Sequence, residues 1–307
     1  MKKLLGIIIV ITLTFSCKNK ENKKTETTVK TEFQEVTTTD YVLNKPTKNI
    51  KAVLILFGGY PENANDIKRE FKILENAQEN NVAVLYMNYN RKLWLEQHEL
   101  LQLSEQLTNI VKEHELPTDN VYIGGFSSGG NIALLISNFI TKQNSDIIPK
   151  GVFIGDSPID LASLYNTVEK NVKRDFSGPV MEESIWLLET LGKQFGNPNS
   201  NISKYEAYSI FTSETNNIDN LKYLKNTKIR LYTEPDSLWW KKRARVKYEE
   251  MNAYRIKGLS ESLNTLQFKD VEYIPTVDKG YRSNGERDPH SWSIIDTQNL
   301  IAWMLKK

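Results

Sequence analysis

Short apolar runs alternate with longer amphipathic stretches through most of this chain, and the two patterns predict different elements. Residues 52–57 (AVLILF) and 82–87 (VAVLYM) are unbroken apolar runs, as expected of strands buried on both faces. Residues 121–124 and 152–155 are further short strands, 229–233 and 270–275 also read as strands although charged residues interrupt them, and 32–43 reads as one or two leading strands. Helical periods lie between them. Ile67, Phe71, Ile73, Leu74 and Ala77 place a helix within 64–80. Leu100, Leu103, Leu107 and Ile110 share one face of a long helix over 93–115, with Pro117 just beyond its end. Residues 129–142 are apolar nearly all round, which predicts a buried helix. Residues 240–266 are mostly helical in pattern, and 291–305 form a last helix.

This order predicts an α/β fold, a mostly parallel central sheet with helices on both faces. Residues 160–226 break the rhythm with helical pieces such as 181–194 and polar stretches such as Asn197 to Asn201. That segment is too long for a simple connection. It is expected to form an inserted helical cap over the carboxyl edge of the sheet.

The amino-terminal segment follows another plan. Lys2 and Lys3 precede an apolar stretch, 4–15, and Ser16 precedes Cys17. The stretch is shorter than the about 20 residues a membrane-spanning helix needs, so 1–16 reads as a cleaved signal peptide. Leu13-Thr14-Phe15-Ser16-Cys17 resembles a bacterial lipoprotein box, from which Phe15 departs. The resemblance implies a lipid on Cys17. Residues 18–30 are polar and charged and read as a flexible tether. The expected plan is therefore a signal peptide (1–16), a lipidated cysteine with its tether (17–30) and one globular body (31–307). The expected location is the bacterial cell envelope, with a membrane contact through Cys17. Lys18, where an aspartate would mark retention, implies the outer membrane by resemblance to Gram-negative lipoprotein sorting.

Charge and cysteine usage narrow the chemistry. Lys+Arg number 40 and Asp+Glu 38, a formal charge of +2, which excludes a strongly basic nucleic-acid binder. Cys17 is the single cysteine, so the body has no disulfide framework, cysteine-based zinc site or cysteine nucleophile. No metal-ligand spacing and no phosphate-cradling loop stand out, so no cofactor is implied.

The candidate chemistry centres on Gly125-Phe126-Ser127-Ser128-Gly129. A G-x-S-x-G match alone is weak. Here a buried strand runs into it and a buried helix runs out, the context of a nucleophile elbow. A tight turn needs glycines where backbones pass closely, and it lifts the Ser127 hydroxyl to the amino end of a helix. Serine needs a base. His98 and His114 fall in the long surface helix, whereas His290 follows the last strand, within Asp288-Pro289-His290-Ser291-Trp292. The base needs a carboxylate to fix its tautomer. Asp236, just past the strand 229–233, is the first candidate, with Glu234 second and Asp156, at the end of the preceding strand, third.

With these residues placed, the chain resembles the α/β-hydrolases over about 50–307, the cap excepted. Ser127, Asp236 and His290 follow that fold's nucleophile–acid–base order. The resemblance implies a serine hydrolase acting on a small-molecule or acylated substrate, an ester or related acyl bond, through an acyl-enzyme. It also implies an oxyanion hole made by the backbone N–H of Ser128 and a second donor, Gly59 or Tyr60, in the loop after 52–57. Phe57-Gly58-Gly59-Tyr60 departs from the His-Gly-Gly form of many esterases and lipases. Two rival readings share these residues: a serine peptidase on the same fold, and a non-catalytic binding lipoprotein that uses the cap groove.

Three further features have plainer readings. Gly155-Asp156-Ser157 resembles the opening of GDS-type lipases, but there it lies near the mature amino terminus. Lys241-Lys242-Arg243-Ala244-Arg245 reads as a solvated face, because Glu249 and Glu250 follow. Trp239 and Trp240 read as packing residues.

Overall fold

The computed structural model of the protein describes residues 32–89 and 92–306. The signal peptide, Cys17 and the tether expected from the sequence lie outside the described residues. Eight strands form one sheet in the order β1-β2-β4-β3-β5-β6-β7-β8. In chain order they are β1 (Phe33–Thr37), β2 (Tyr41–Pro46), β3 (Ala52–Phe57), β4 (Val82–Met87), β5 (Val121–Phe126), β6 (Pro149–Gly155), β7 (Lys228–Thr233) and β8 (Asp270–Pro275). The leading hairpin β1–β2 joins β4 antiparallel, and every pairing from β4 to β8 is parallel.

Strand alternation sends side chains to two cores, which is why these runs are apolar throughout. Val53, Ile55 and Phe57 of β3 pack with α3 (Gln97–Glu113), α4 (Ser128–Gln143) and α9 (Asn252–Thr265). Ala52, Leu54 and Leu56 face the other way, onto α1 (Ala64–Glu70), α2 (Leu74–Glu79) and α10 (Thr297–Leu305). The single helix expected over 64–80 is two, because Phe71 leaves helical geometry at φ −101°, ψ 87°. The long helix expected from 93 begins at Gln97, where the Glu99 side chain reaches back to the Glu96 N–H.

Three helices fill most of the expected insertion: α5 (Leu161–Arg174), α6 (Gly178–Phe195) and α7 (Pro198–Glu206). They share a small core of Leu161, Leu191, Phe195 and Tyr205. The end of the segment behaves differently. The turn Asp219–Leu224 buries Leu221 and Leu224 in the core of the α4 side, and the Tyr223 N–H donates to Asn138 of α4. The layer over the sheet edge is therefore narrower than 160–226. Residues 240–266 divide into α8 (Ser237–Ala244), a single turn at Tyr248–Glu250, and α9.

Candidate active site

Ser127 stands between β5 and α4 at φ 52°, ψ −130°, a conformation that costs a non-glycine residue of order 1–3 kcal/mol. The neighbouring glycines make the turn possible. A Cβ on Gly125 would lie 2.2 Å from the Gly129 carbonyl oxygen, and one on Gly129 would lie 2.3 Å from that of Phe57. The Ser127 N–H donates to the Gly155 carbonyl at 2.8 Å, tying the elbow to the end of β6. The hydroxyl sits at the amino end of a buried helix whose first N–H groups have no partner within the helix.

The His290 Nε2 lies 3.1 Å from Ser127 Oγ, and its Nδ1 lies 2.6 Å from Asp156 Oδ2. A carboxylate can only accept, so Nδ1 carries the proton and Nε2 offers its lone pair to the serine hydroxyl. The ring packs on Phe126, centroids 4.7 Å apart. Burial alone would lower the His290 pKa. The hydrogen bond and charge of Asp156, with Asp288 adding and Arg282 opposing, turn the net shift upward from the ordinary 6.5.

The carboxylate is a correction to the sequence reading, which put Asp236 first. Asp236 caps α8, accepting from the Trp239 N–H at 2.9 Å, and it pairs with Arg287 at 2.9 Å. Glu234 is engaged elsewhere as well. It accepts from the Thr276 hydroxyl and from the N–H groups of Lys279 and Gly280, and it pairs with Arg287 at 2.5 Å. Both residues after β7 thus brace the segment that carries His290 without touching its ring. Asp156 is held for the task instead. Its N–H donates to the Tyr232 carbonyl, its backbone turns at φ 45°, and the Thr233 hydroxyl binds Oδ1 at 2.8 Å. That leaves Oδ2 for the histidine. Of the other histidines, His114 is bound to the Tyr41 hydroxyl at 2.7 Å, far along the sheet from Ser127.

The loop after β3 separates the two oxyanion candidates. The Gly59 N–H donates to Glu62 Oε2 at 2.8 Å, so it is committed away from the serine. The Tyr60 N–H points to the elbow, donating to Ser128 Oγ at 3.1 Å. Both N–H groups are thus engaged, and Tyr60 is the candidate whose N–H faces the elbow, held there by the Ser128 side chain, which was given no part from the sequence. Glu62 was missed altogether. Its Oε2 also accepts from the Trp292 indole at 3.0 Å, and burial pushes its carboxyl above the usual range against those hydrogen bonds. Nothing in the sequence marks it, because its partners lie on the next turn and 230 residues away.

A cavity of about 320 Å³ opens over Ser127, Asp156 and His290, walled by α5, α6 and the segment from Trp240 to Asn252. A larger hollow of about 840 Å³, beside Arg230 and Tyr281, reaches none of the three. Tyr60 and Trp186 stack at the mouth, centroids 4.9 Å apart. Among the described residues no cluster of His, Cys, Asp and Glu could hold a metal ion, and no helix is long and apolar enough to cross a membrane.

No protein-family model and no curated protein matches the chain. Solved structures do. Carboxyl esterase 2 of the fungus Tuber melanosporum superimposes with a TM-score of 0.53 at 12% identity, covering 91% of this chain and 87% of that one. An esterase/lipase from an uncultured bacterium gives 0.53 at 10%, over 90% and 86%. An esterase of Rhizomucor miehei gives 0.53 at 11%, over 89% and 82%. The likeness is one of fold: the chain has the α/β-hydrolase fold.

Proposed function

We propose that this protein is a serine hydrolase that cleaves carboxylic esters, with Ser127 as nucleophile, His290 as base and acid, and Asp156 as the orienting carboxylate. The observation that carries the reading is the hydrogen-bond line Asp156–His290–Ser127, at 2.6 and 3.1 Å, ending on a serine held in strained elbow geometry. Ser127 Oγ attacks the ester carbonyl while His290 Nε2 takes its proton. The N–H groups of Ser128 and Tyr60 receive the charge that develops on the carbonyl oxygen. His290 then protonates the departing alcohol, and water releases the acid from the serine. The esterases among the structures similar in fold support the same bond type. A helix-covered cavity of about 320 Å³ favours a small ester over a polypeptide chain.

Covalent labelling by a fluorophosphonate tests the nucleophile. Wild type is labelled, and Ser127→Ala is folded and unlabelled. Labelling that survives Ser127→Ala overturns the assignment.

The envelope location is a separate proposal that rests on the sequence of residues 1–30 alone. Cys17→Ser should move the protein from the membrane fraction to the soluble one with its hydrolase activity intact, since about 0.8 kcal/mol of anchoring is lost per buried CH₂. Equal membrane association of both proteins would refute the anchor.

A further inference from the structure

The walls of the cavity have a direction. Leu164, Thr167, Val168 and Asn171 line it from α5, spaced i, i+3, i+4 and i+7 along one helix face. Val180, Ser184 and Leu187 line it from α6, and the Asn171 amide donates to the Ser184 hydroxyl at 3.3 Å. The two helices therefore run antiparallel along a slot, Leu164 and Leu187 towards one end, Asn171 and Ser184 at the other. Helix α5 begins five residues after Asp156, so the leucine end is tied to the reaction centre. Asn171 lies two turns, about 10 Å, further along.

The far end carries the Asn171–Ser184 pair, with apolar Val180, Val246 and Met251 on the same lining. Ser184 is 2% exposed. Its oxygen accepts from Asn171, but among the described residues its own proton has no acceptor. A buried donor without a partner costs free energy, and here it faces the cavity. The nearby charges do not ask for a charged ligand. Glu250 is paired twice by Arg174, at 2.6 and 2.7 Å, and Glu183 on the same wall has no ion-pair partner among the described residues, which disfavours an anion.

The leaving alcohol is protonated by His290 and so departs on the His290 side, where a groove lined by Trp239, Arg282 and Asp288 adjoins the cavity, sharing Val180, Glu183 and Trp240 with it but none of the α5 residues. The slot is left for the acid part. We infer that the slot between α5 and α6 binds the acyl group of the substrate, and that this group has an apolar stem and a neutral oxygen-bearing head that accepts a hydrogen bond from Ser184. The inference rests on the hydrolase reading for its orientation, and on the slot itself for its chemistry.

Two probes separate the two: methyl 3-phenylpropanoate and methyl 3-(4-hydroxyphenyl)propanoate, which differ by one distal hydroxyl. Wild type should prefer the hydroxylated ester in kcat/KM by roughly two- to tenfold, the range of one net hydrogen bond. Ser184→Ala and Asn171→Leu should each reduce that ratio to near one. Calorimetry of both esters on Ser127→Ala should give the same preference in Kd without turnover. Equal kcat/KM and equal Kd in proteins that still hydrolyse an ester overturn the slot assignment alone. The Kd preference without any turnover by the folded wild type keeps the slot and overturns the hydrolase reading. A preference that survives both slot variants also refutes the role of Ser184.

Discussion

Asp156 and His290 meet at 2.6 Å although 134 positions separate them in the chain. The carboxylate leaves the end of β6, next to the nucleophile strand, and the histidine arrives on the loop beyond β8. The Asp156 N–H reaches the Tyr232 carbonyl and its Oδ1 accepts from the Thr233 hydroxyl, so β7 holds this carboxylate in place without supplying it.

Exchange of the two candidate acids separates their roles. Asp156→Asn should lower kcat by roughly 10⁴, because the amide favours the wrong histidine tautomer. Asp236→Asn should leave kcat within a few-fold. Its cost falls on the ion pair with Arg287, about 1 kcal/mol or less, since asparagine caps α8 as well as aspartate. Steady-state kinetics and thermal melts of both variants decide it. Severe loss in Asp236→Asn with a mild Asp156→Asn would return the acid to β7.

The pH profile carries the same contact. In the proposed mechanism the base must be neutral, so activity should appear as pH rises through the folded-state pKa of His290, which lies above the ordinary 6.5. The acid limb of kcat/KM should therefore sit above 6.5. Asp156→Asn removes the hydrogen bond and charge that raise the pKa and leaves the burial that lowers it, so the limb should move down. NMR titration of the His290 ring reads the shift directly. A limb unmoved by Asp156→Asn contradicts the assignment.

These two contacts mark where sequence reading stops. The elbow was legible because strand, glycines and helix are contiguous around Ser127, and His290 because only one of three histidines follows the last strand. β3 and β4 were legible from their unbroken apolar runs, residue for residue, and β8, half-buried and interrupted by Asp270 and Glu272, from its place after the last long helix. The acid was not, because Asp156, Glu234 and Asp236 all stand at the carboxyl ends of adjacent parallel strands. What separates them is register and the position of Arg287, which draws Glu234 and Asp236 to itself. The breaks at Phe71 and at Asp219–Leu224 were hidden for a similar reason: backbone geometry and tertiary packing set them, and the apolar period continues through both.

Gly59 should be intolerant of a side chain for a local reason. A Cβ there would lie 2.9 Å from the Ser127 Cβ, closer than such atoms pack. Either the loop or the serine must shift. Gly59→Ala should slow fluorophosphonate labelling by roughly 10², the effect of a displacement near 1 Å at the reacting centre, with little change in Tm. Wild-type labelling kinetics in Gly59→Ala would show that the loop yields freely.

Glu62 joins the oxyanion loop to the histidine segment and should behave as a positioning residue. Its Oε2 takes the Gly59 N–H on one side and the Trp292 indole on the other, and Trp292 stacks on Phe71 in the core, two residues after His290. Glu62→Ala leaves two donors without an acceptor, at about 1–3 kcal/mol each where buried, and frees the loop that presents Tyr60. Glu62→Gln keeps a carbonyl oxygen at the same place. The expected pattern is a lower Tm and a fall in kcat larger than any rise in KM for Glu62→Ala, with most of both restored in Glu62→Gln. A purely structural part would lower Tm and leave the kcat of the folded protein unchanged. That result would remove Glu62 from the oxyanion loop's support.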